Sequence, residues 1–219
     1  MPKSRTLPSR SRVRVLQTYR SRGNANRNLW LVYSYKTNRD WILGSDRHLV
    51  HWLIFLETNP DVRAFTIEPD DSEIPSDLGV PAKNIAASVE VRSGEAQYHV
   101  IKLSETPEQA GTADGNLVRV FSEADLFPLA GEAMRWLKLV NFCAAIRDEQ
   151  QQETTLACIA VMRKLNGGTL GQILEALPGF DSQIAIGVVS RMVIQNSIAI
   201  DLSFSSFTLS SQWNWRDAE

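Results

Sequence analysis

GSDRHLVHWLIFLETNPDVRAFTIEP, residues 44–69, is the stretch on which the fold turns. Leu49, Trp52, Leu53 and Leu56 recur at three- and four-residue spacing, which lines them up on one face of a helix that Ser45 is placed to cap. Asn59-Pro60 stops that helix. Val62 to Ile67 then alternates apolar and polar residues, the period of a strand. Upstream, LWLVYSY at Leu29 to Tyr35 is aromatic and branched, and Asn38 to Asp40 make a turn before WIL, so a hairpin-like entry precedes the helix. Downstream, residues 68–83 form a loop rich in Pro, Asp and Ser. Ile85 to Arg92 and Gln97 to Leu103 then form two strands joined by a tight turn at Ser93-Gly94-Glu95. Val118 to Phe121 is a further short strand, Glu123 to Phe127 opens a helical region, and Gly131 to Arg147 spaces Met134, Leu137, Leu139, Val140 and Phe142 as a helix does. The expected class is α/β, a mixed sheet flanked by helices.

EQQQE at Glu149 to Glu153 has no apolar anchor and marks the best boundary between an N-terminal unit, residues 29–150, and a C-terminal one, residues 151–219. Beyond it, Thr154 to Leu165 reads as a helix stopped by Asn166-Gly167-Gly168, and Thr169 caps a short helix to Leu177. A third helix runs from about Ser182 to Asn196. Ile198 to Leu202 and Phe207 to Leu209 read as a two-stranded hairpin bent at Ser203 to Ser206. Three short helices and a β-wing make a winged helix, a fold that reads DNA in some proteins and docks proteins in others. Its third helix carries Arg191 as its one cation, among Ile184, Ile186, Val188 and Val189, so base reading from it has weak support. Trp213 and Trp215 follow the last element, where they either pack back on the wing or dock on a partner.

The formal net charge of −2 conceals a strong asymmetry. Residues 1–39 hold ten Lys and Arg and no Asp or Glu, which leaves 13 basic residues against 25 acidic ones in residues 40–219. The first segment is thus +10 and the remainder −12. Residues 1–28 read as a basic, extended arm in which Lys3, Arg5, Arg10, Arg12, Arg14, Arg20, Arg22 and Arg27 alternate with Ser, Pro and Asn. Such an arm suits a phosphate backbone, because each arginine that neutralises a phosphate releases a counterion. Its competing role is to dock on this chain's own acidic body.

With 43% hydrophobic residues the chain has material for a core, which excludes wholesale disorder. No apolar run is long enough to span a bilayer, and no apolar core of a secretory signal follows the N-terminal basic residues, so the expectation is a cytoplasmic protein without a membrane partner. The two cysteines, Cys143 and Cys158, sit in apolar helical patterns and offer neither a disulfide framework nor a zinc site; both read as buried fillers. Phosphate-loop, dinucleotide-binding and nucleophile-elbow motifs are all missing from the sequence.

The 44–69 stretch resembles the N-terminal nuclease domain of the TnsA family, the endonuclease subunit of heteromeric cut-and-paste transposases. The likeness extends through RVFSEADL at Arg119 to Leu126, in the place of an "(F/I)(S/T)xxxL" turn, and the helix from Glu132 to Arg147, to a C-terminal winged-helix-like domain. It therefore covers about Trp30 to Leu209. The resemblance implies a restriction-endonuclease-like fold, transposon-end DNA as substrate, a DDE-type transposase subunit and an AAA+ ATPase regulator as partners, and a bacterial cytosolic location. It also implies a catalytic set in which two acids hold a divalent cation and a lysine helps activate water.

Carried over position by position, that set is degenerate. The helix acid falls at His48, or at Leu49 if the one-residue length difference is placed elsewhere, and the hairpin aspartate falls at Ala86 or Ala87. The return-strand amide or acid falls at Val100, and the lysine alone survives, as Lys102. Alanine and valine offer Mg no oxygen, so the expectation is a subunit without metal or cofactor that binds DNA and assembles the complex but does not cut. Two alternatives stand beside it. One is an active Mg-dependent endonuclease whose ligands have moved to Asp46, Glu68, Glu90 or Glu95, with Glu90 four residues on from Ala86 and so on the same strand face. The other is a protein-only adaptor. His48 and His51 lack the pattern of a transition-metal site and read as helix surface or a satisfied pair.

Overall fold

A computed structural model describes residues 29–44, 47–102 and 118–216. The basic arm, Ser45, Asp46 and Leu103 lie outside the described residues. The chain opens with an antiparallel hairpin, β1 (Leu29–Ser34) and β2 (Arg39–Gly44), in the register Trp30 to Leu43 and Val32 to Trp41. Asn38, at φ 49°, makes the turn; asparagine tolerates this left-handed conformation better than most residues. Helix α1 (Arg47–Thr58) follows, then β3 (Val62–Ile67), β4 (Ile85–Val91), β5 (Ala96–Lys102) and β6 (Val118–Ser122). These four strands form one sheet in sequence order, antiparallel except for the parallel pair β5–β6. The fold is α/β, with a mixed four-stranded sheet flanked by helices. Gly94, at φ 88°, closes the β4–β5 hairpin, where Val91 N–H donates to the Glu95 carbonyl at 3.0 Å.

The faces of this sheet are set by a bulge. The β4–β5 register shifts between Ile85 and Ala87. Ala87 and Val89 therefore lie in the main core under α1, with Trp52, Leu53 and Leu56. Ile85 joins Tyr98, Val100 and Leu78 in a second, smaller cluster covered by the β3–β4 loop. Glu90 alternates with Val89, is exposed, and bonds Arg63 at 2.8 Å. This corrects the simple alternation argument, since the extra residue at the bulge leaves Ala86 against the main core and Glu90 on the other face.

Helix α2 (Glu123–Leu126) starts in a capping box, with the Ser122 hydroxyl accepting from Asp125 N and the Asp125 carboxylate accepting from Ser122 N. Helix α3 (Ala130–Ala145) packs on α1, and α4 (Gln152–Leu165) ends at Asn166, φ 57°. Thr169 and Gln172 form a second capping box at the start of α5 (Leu170–Glu175). Asp181 caps α6 (Ser182–Ile194) by accepting from Gln183 N and Ile184 N. A three-stranded sheet closes the chain in the order β7 (Gly168–Thr169), β9 (Gln212–Trp215), β8 (Ile198–Ile200).

The partner of β8 is therefore not Phe207 to Leu209, the expected second wing strand, but the tail segment carrying both tryptophans. The reason is packing. Phe207 is pinned through its carbonyl by Lys138 Nζ at 2.7 Å, and its ring meets Phe142 edge-on, whereas Trp213 pairs with both Ile200 and Gly168 and is fully buried. Arg135 donates to the Leu202 and Ser203 carbonyls, so α3 holds the long β8–β9 loop at its root while Phe204, 96% exposed, projects from it.

Helix α6 lies against α3 so closely that a Cβ at Gly187 would stand 3.0 Å from the Phe142 carbonyl oxygen and 2.9 Å from Ile146 Cδ1. Ala185 to Ser190 are all buried. One continuous core runs from Val32 through α1, α3 and α6 to Trp213. Among the described residues no helix is long and apolar enough to cross a membrane.

Candidate functional site

Between the β1–β2 hairpin, α1 and the edge of the four-stranded sheet lies a cleft of about 540 Å³. Its floor is apolar: Ile42 and Leu43 come from β2, Leu49 and Trp52 from α1, Ile67 from β3, Ala86 from the bulge and Ile101 from β5. Its rim is charged: Glu68, Asp70 and Glu73 stand where β3 runs into its loop, facing Arg39, whose guanidinium lies 4.8 Å above the Trp41 ring. Glu68 N donates to the Ala86 carbonyl at 3.0 Å, which ties the acidic loop to the bulge.

The structure brings together only part of the sequence-derived set. Ala86 lines the cleft. Val100 points the other way, into the cluster with Tyr98 and Ile85, and its neighbour Ile101 takes the place in the cleft. Of the two candidate α1 positions, Leu49 lines the cleft, while His48 Nε2 lies 3.7 Å from Glu123 Oε1 and its ring meets His51 edge-on at 6.0 Å. Lys102 is exposed at the end of β5, opposite Ser122. Glu95 is exposed in the β4–β5 turn, away from the cleft lining. Leu49, Ala86 and Ile101 provide no side-chain oxygen or nitrogen, and among the described residues no three His, Cys, Asp or Glu gather as a metal would require. A divalent cation that prefers oxygen ligands does not fit this floor.

Behind the cleft sits a histidine that the pattern reading passed over. Trp52 Nε1 donates to His99 Nδ1 at 3.2 Å, so the ring proton of the neutral imidazole is on Nε2, which is buried and has no acceptor among the described residues. Phe121 packs 4.9 Å from the ring, and Arg119, lying over Phe55 and Phe121, adds positive charge. Burial, then Arg119, pushes His99 down to about 4. His99 thus keeps α1 on the sheet as a neutral acceptor. Because its folded value lies below the ordinary 6.5, the unfolded chain binds the extra proton, and stability falls as pH drops from about 6.5 to about 4. The expected loss is about 3 kcal/mol, read by urea unfolding at pH 7 and pH 4. In His99→Gln that portion of the acid dependence should vanish.

A buried carboxyl group clamps the hairpin. Glu57, at the end of α1, accepts from Ser34 Oγ at 2.6 Å and from the Tyr35 backbone N–H at 2.7 Å. Burial raises its carboxyl above the usual range against these bonds. Lys36 Nζ donates to the carbonyls of Leu56 and Asn59, and burial lowers it to about 8. Burial likewise pushes Cys143 up to about 12 and Cys158 to about 11, so both thiols stay protonated.

Arg191 is placed in this interior framework. Its guanidinium donates to the carbonyls of Ile146 and Glu149 and lies 5.7 Å from the Tyr35 ring. Gln195 Nε2 donates to Tyr35 Oη at 2.7 Å, and Arg147 bonds Asp40 at 2.5 Å. The hairpin, α3 and α6 are latched by these contacts, with Arg191 facing the turn after α3. The eight basic residues of the arm lie outside the described residues.

Compared with known proteins, the sequence matches no protein-family model, and no curated protein aligns with it significantly.

Proposed function

We propose that this chain is a TnsA-like subunit of a DNA transposition complex in which a restriction-endonuclease-like fold persists without the nuclease reaction. One observation carries the reading: the cleft beside the β4 bulge is floored by Leu49, Ala86 and Ile101, which offer no side-chain ligand, and the positions at which the family resemblance asks for acids or an amide hold His48 or Leu49, Ala86 or Ala87, and Val100. The C-terminal order helix, strand, two helices, strand, strand supports a winged-helix module. Its third helix is packed inside the molecule, so the module's role is assembly and not base reading. The acids on the cleft rim repel phosphate, which leaves the arm as the element that grips transposon-end DNA. The transposase and ATPase partners follow from the same resemblance.

The test is nicking of transposon-end DNA by the purified chain with its partner transposase, in magnesium and then manganese. No cleavage beyond the partner's own is expected, and Lys102→Ala should change nothing. Cleavage that depends on metal and falls by orders of magnitude in Lys102→Ala would replace this reading with that of a working endonuclease with relocated ligands.

A further inference from the structure

The acidic-rimmed cleft and the basic arm are adjacent by construction. Leu29, the first residue of β1, pairs with Gly44, and Trp30 pairs with Leu43, which lines the cleft. The described chain therefore begins beside the cleft. The segment before Leu29 holds eight Lys and Arg and no acid. The β3–β4 loop opposite carries exposed Glu68, Asp70, Asp71, Glu73 and Asp77, and none of these carboxylates has a cationic side-chain partner among the described residues.

The match goes beyond net charge. The arm contains Arg12-Val13-Arg14-Val15, an alternation that in an extended chain puts the two valines on one side and the two arginines on the other. The cleft asks for this pattern, since Ile42, Leu49, Ile67, Ala86 and Ile101 form a half-buried apolar floor beneath a rim of carboxylates. Thirteen residues lie between Val15 and Leu29. At ~3.3 Å per residue they reach about 40 Å, ample to double back over a cleft of this size. A tether this short raises the local arm concentration to the order of millimolar, so weak intrinsic affinity suffices.

From this geometry we infer that the arm docks in the cleft of its own chain when DNA is absent, the acidic loop standing in for a phosphate backbone. DNA and the loop then compete for the same arginines, and the arm is released as DNA is engaged. This rests on the arm being the DNA-gripping element, and the test separates the two claims.

The experiment is photocrosslinking of the full-length chain carrying Val13→p-benzoylphenylalanine, mapped by mass spectrometry. Without DNA, crosslinks should fall within one chain, on residues 66–77 and on β2. They should drop about tenfold on raising salt from about 50 to about 500 mM, and equally in the triple variant Glu68→Gln, Asp70→Asn, Glu73→Gln or on adding excess duplex DNA. The variant changes exposed side chains only, and circular dichroism checks that its fold is kept. Crosslinks on other surfaces, crosslinks between two chains, or loop crosslinks unaffected by the triple variant would overturn the docking. Loop crosslinks that respond to salt and to the variant, but not to DNA, would keep the docking and overturn the arm as DNA grip.

Discussion

Deleting residues 1–28 is expected to lower affinity for duplex DNA by at least about two orders of magnitude near physiological salt and to flatten its salt dependence. The segment carries eight cations and no acid, while residues 40–219 are formally −12, so little attraction for a polyanion is left once it is gone. Each neutralised phosphate contributes about 0.9 to the slope of log affinity against log salt, so the slope should shrink by up to about 7. Fluorescence anisotropy with a labelled duplex over a salt series reads both quantities. Sequence should matter little, because phosphate contacts position a protein without reading bases. Unchanged affinity and slope would move DNA binding to the folded body, against the charge that body carries.

The interior framework points the same way. Arg191 was the natural cation for a recognition helix, but it donates to the Ile146 and Glu149 carbonyls and stacks near Tyr35. Arg135 and Lys138 are bonded to carbonyls of the β8–β9 loop, and Arg147 to Asp40. Cations in the folded part thus serve largely as fasteners between elements. Those without acids near them in sequence are concentrated before residue 40.

Much of the layout was legible. The Leu49, Trp52, Leu53, Leu56 spacing gave α1, the Val62–Ile67 alternation gave β3, and Gly94 gave the hairpin, because each is a local signal of period or turn chemistry. The Thr169 cap was equally local. What escaped depends on contacts distant in sequence. The β4 bulge turns Ala86 and Glu90 to opposite faces, and no residue type announces it. The one-residue offsets that bring Leu49 and Ile101 into the cleft, in place of His48 and Val100, follow from that register and from the helix's rotation on the sheet. His99 was invisible in its apolar strand because its partner, Trp52, lies 47 residues away.

The last strand gives the other large expected effect. Trp213→Ala should cost about 3–5 kcal/mol, the usual range for emptying a large aromatic site in a core. Trp213 is 0% exposed in the central strand of its sheet, pairs with Ile200 and Gly168 on either side, and meets Trp215 edge-on at 6.0 Å. Set against a total stability of about 5–15 kcal/mol, that loss leaves the domain marginal. The continuous core from Val32 to Trp213 adds a second expectation. Damage at the C-terminal sheet should lower the melting of the α/β part as well, in one transition by calorimetry and by near-ultraviolet circular dichroism. Two separated transitions would mean that the parts on either side of Glu149 to Glu153 unfold independently. Trp213→Phe should cost far less than the alanine variant, since the ring volume is largely kept and the indole N–H it removes is buried without an acceptor. A tryptophan held for its bulk and not its hydrogen bond belongs to the core of the fold.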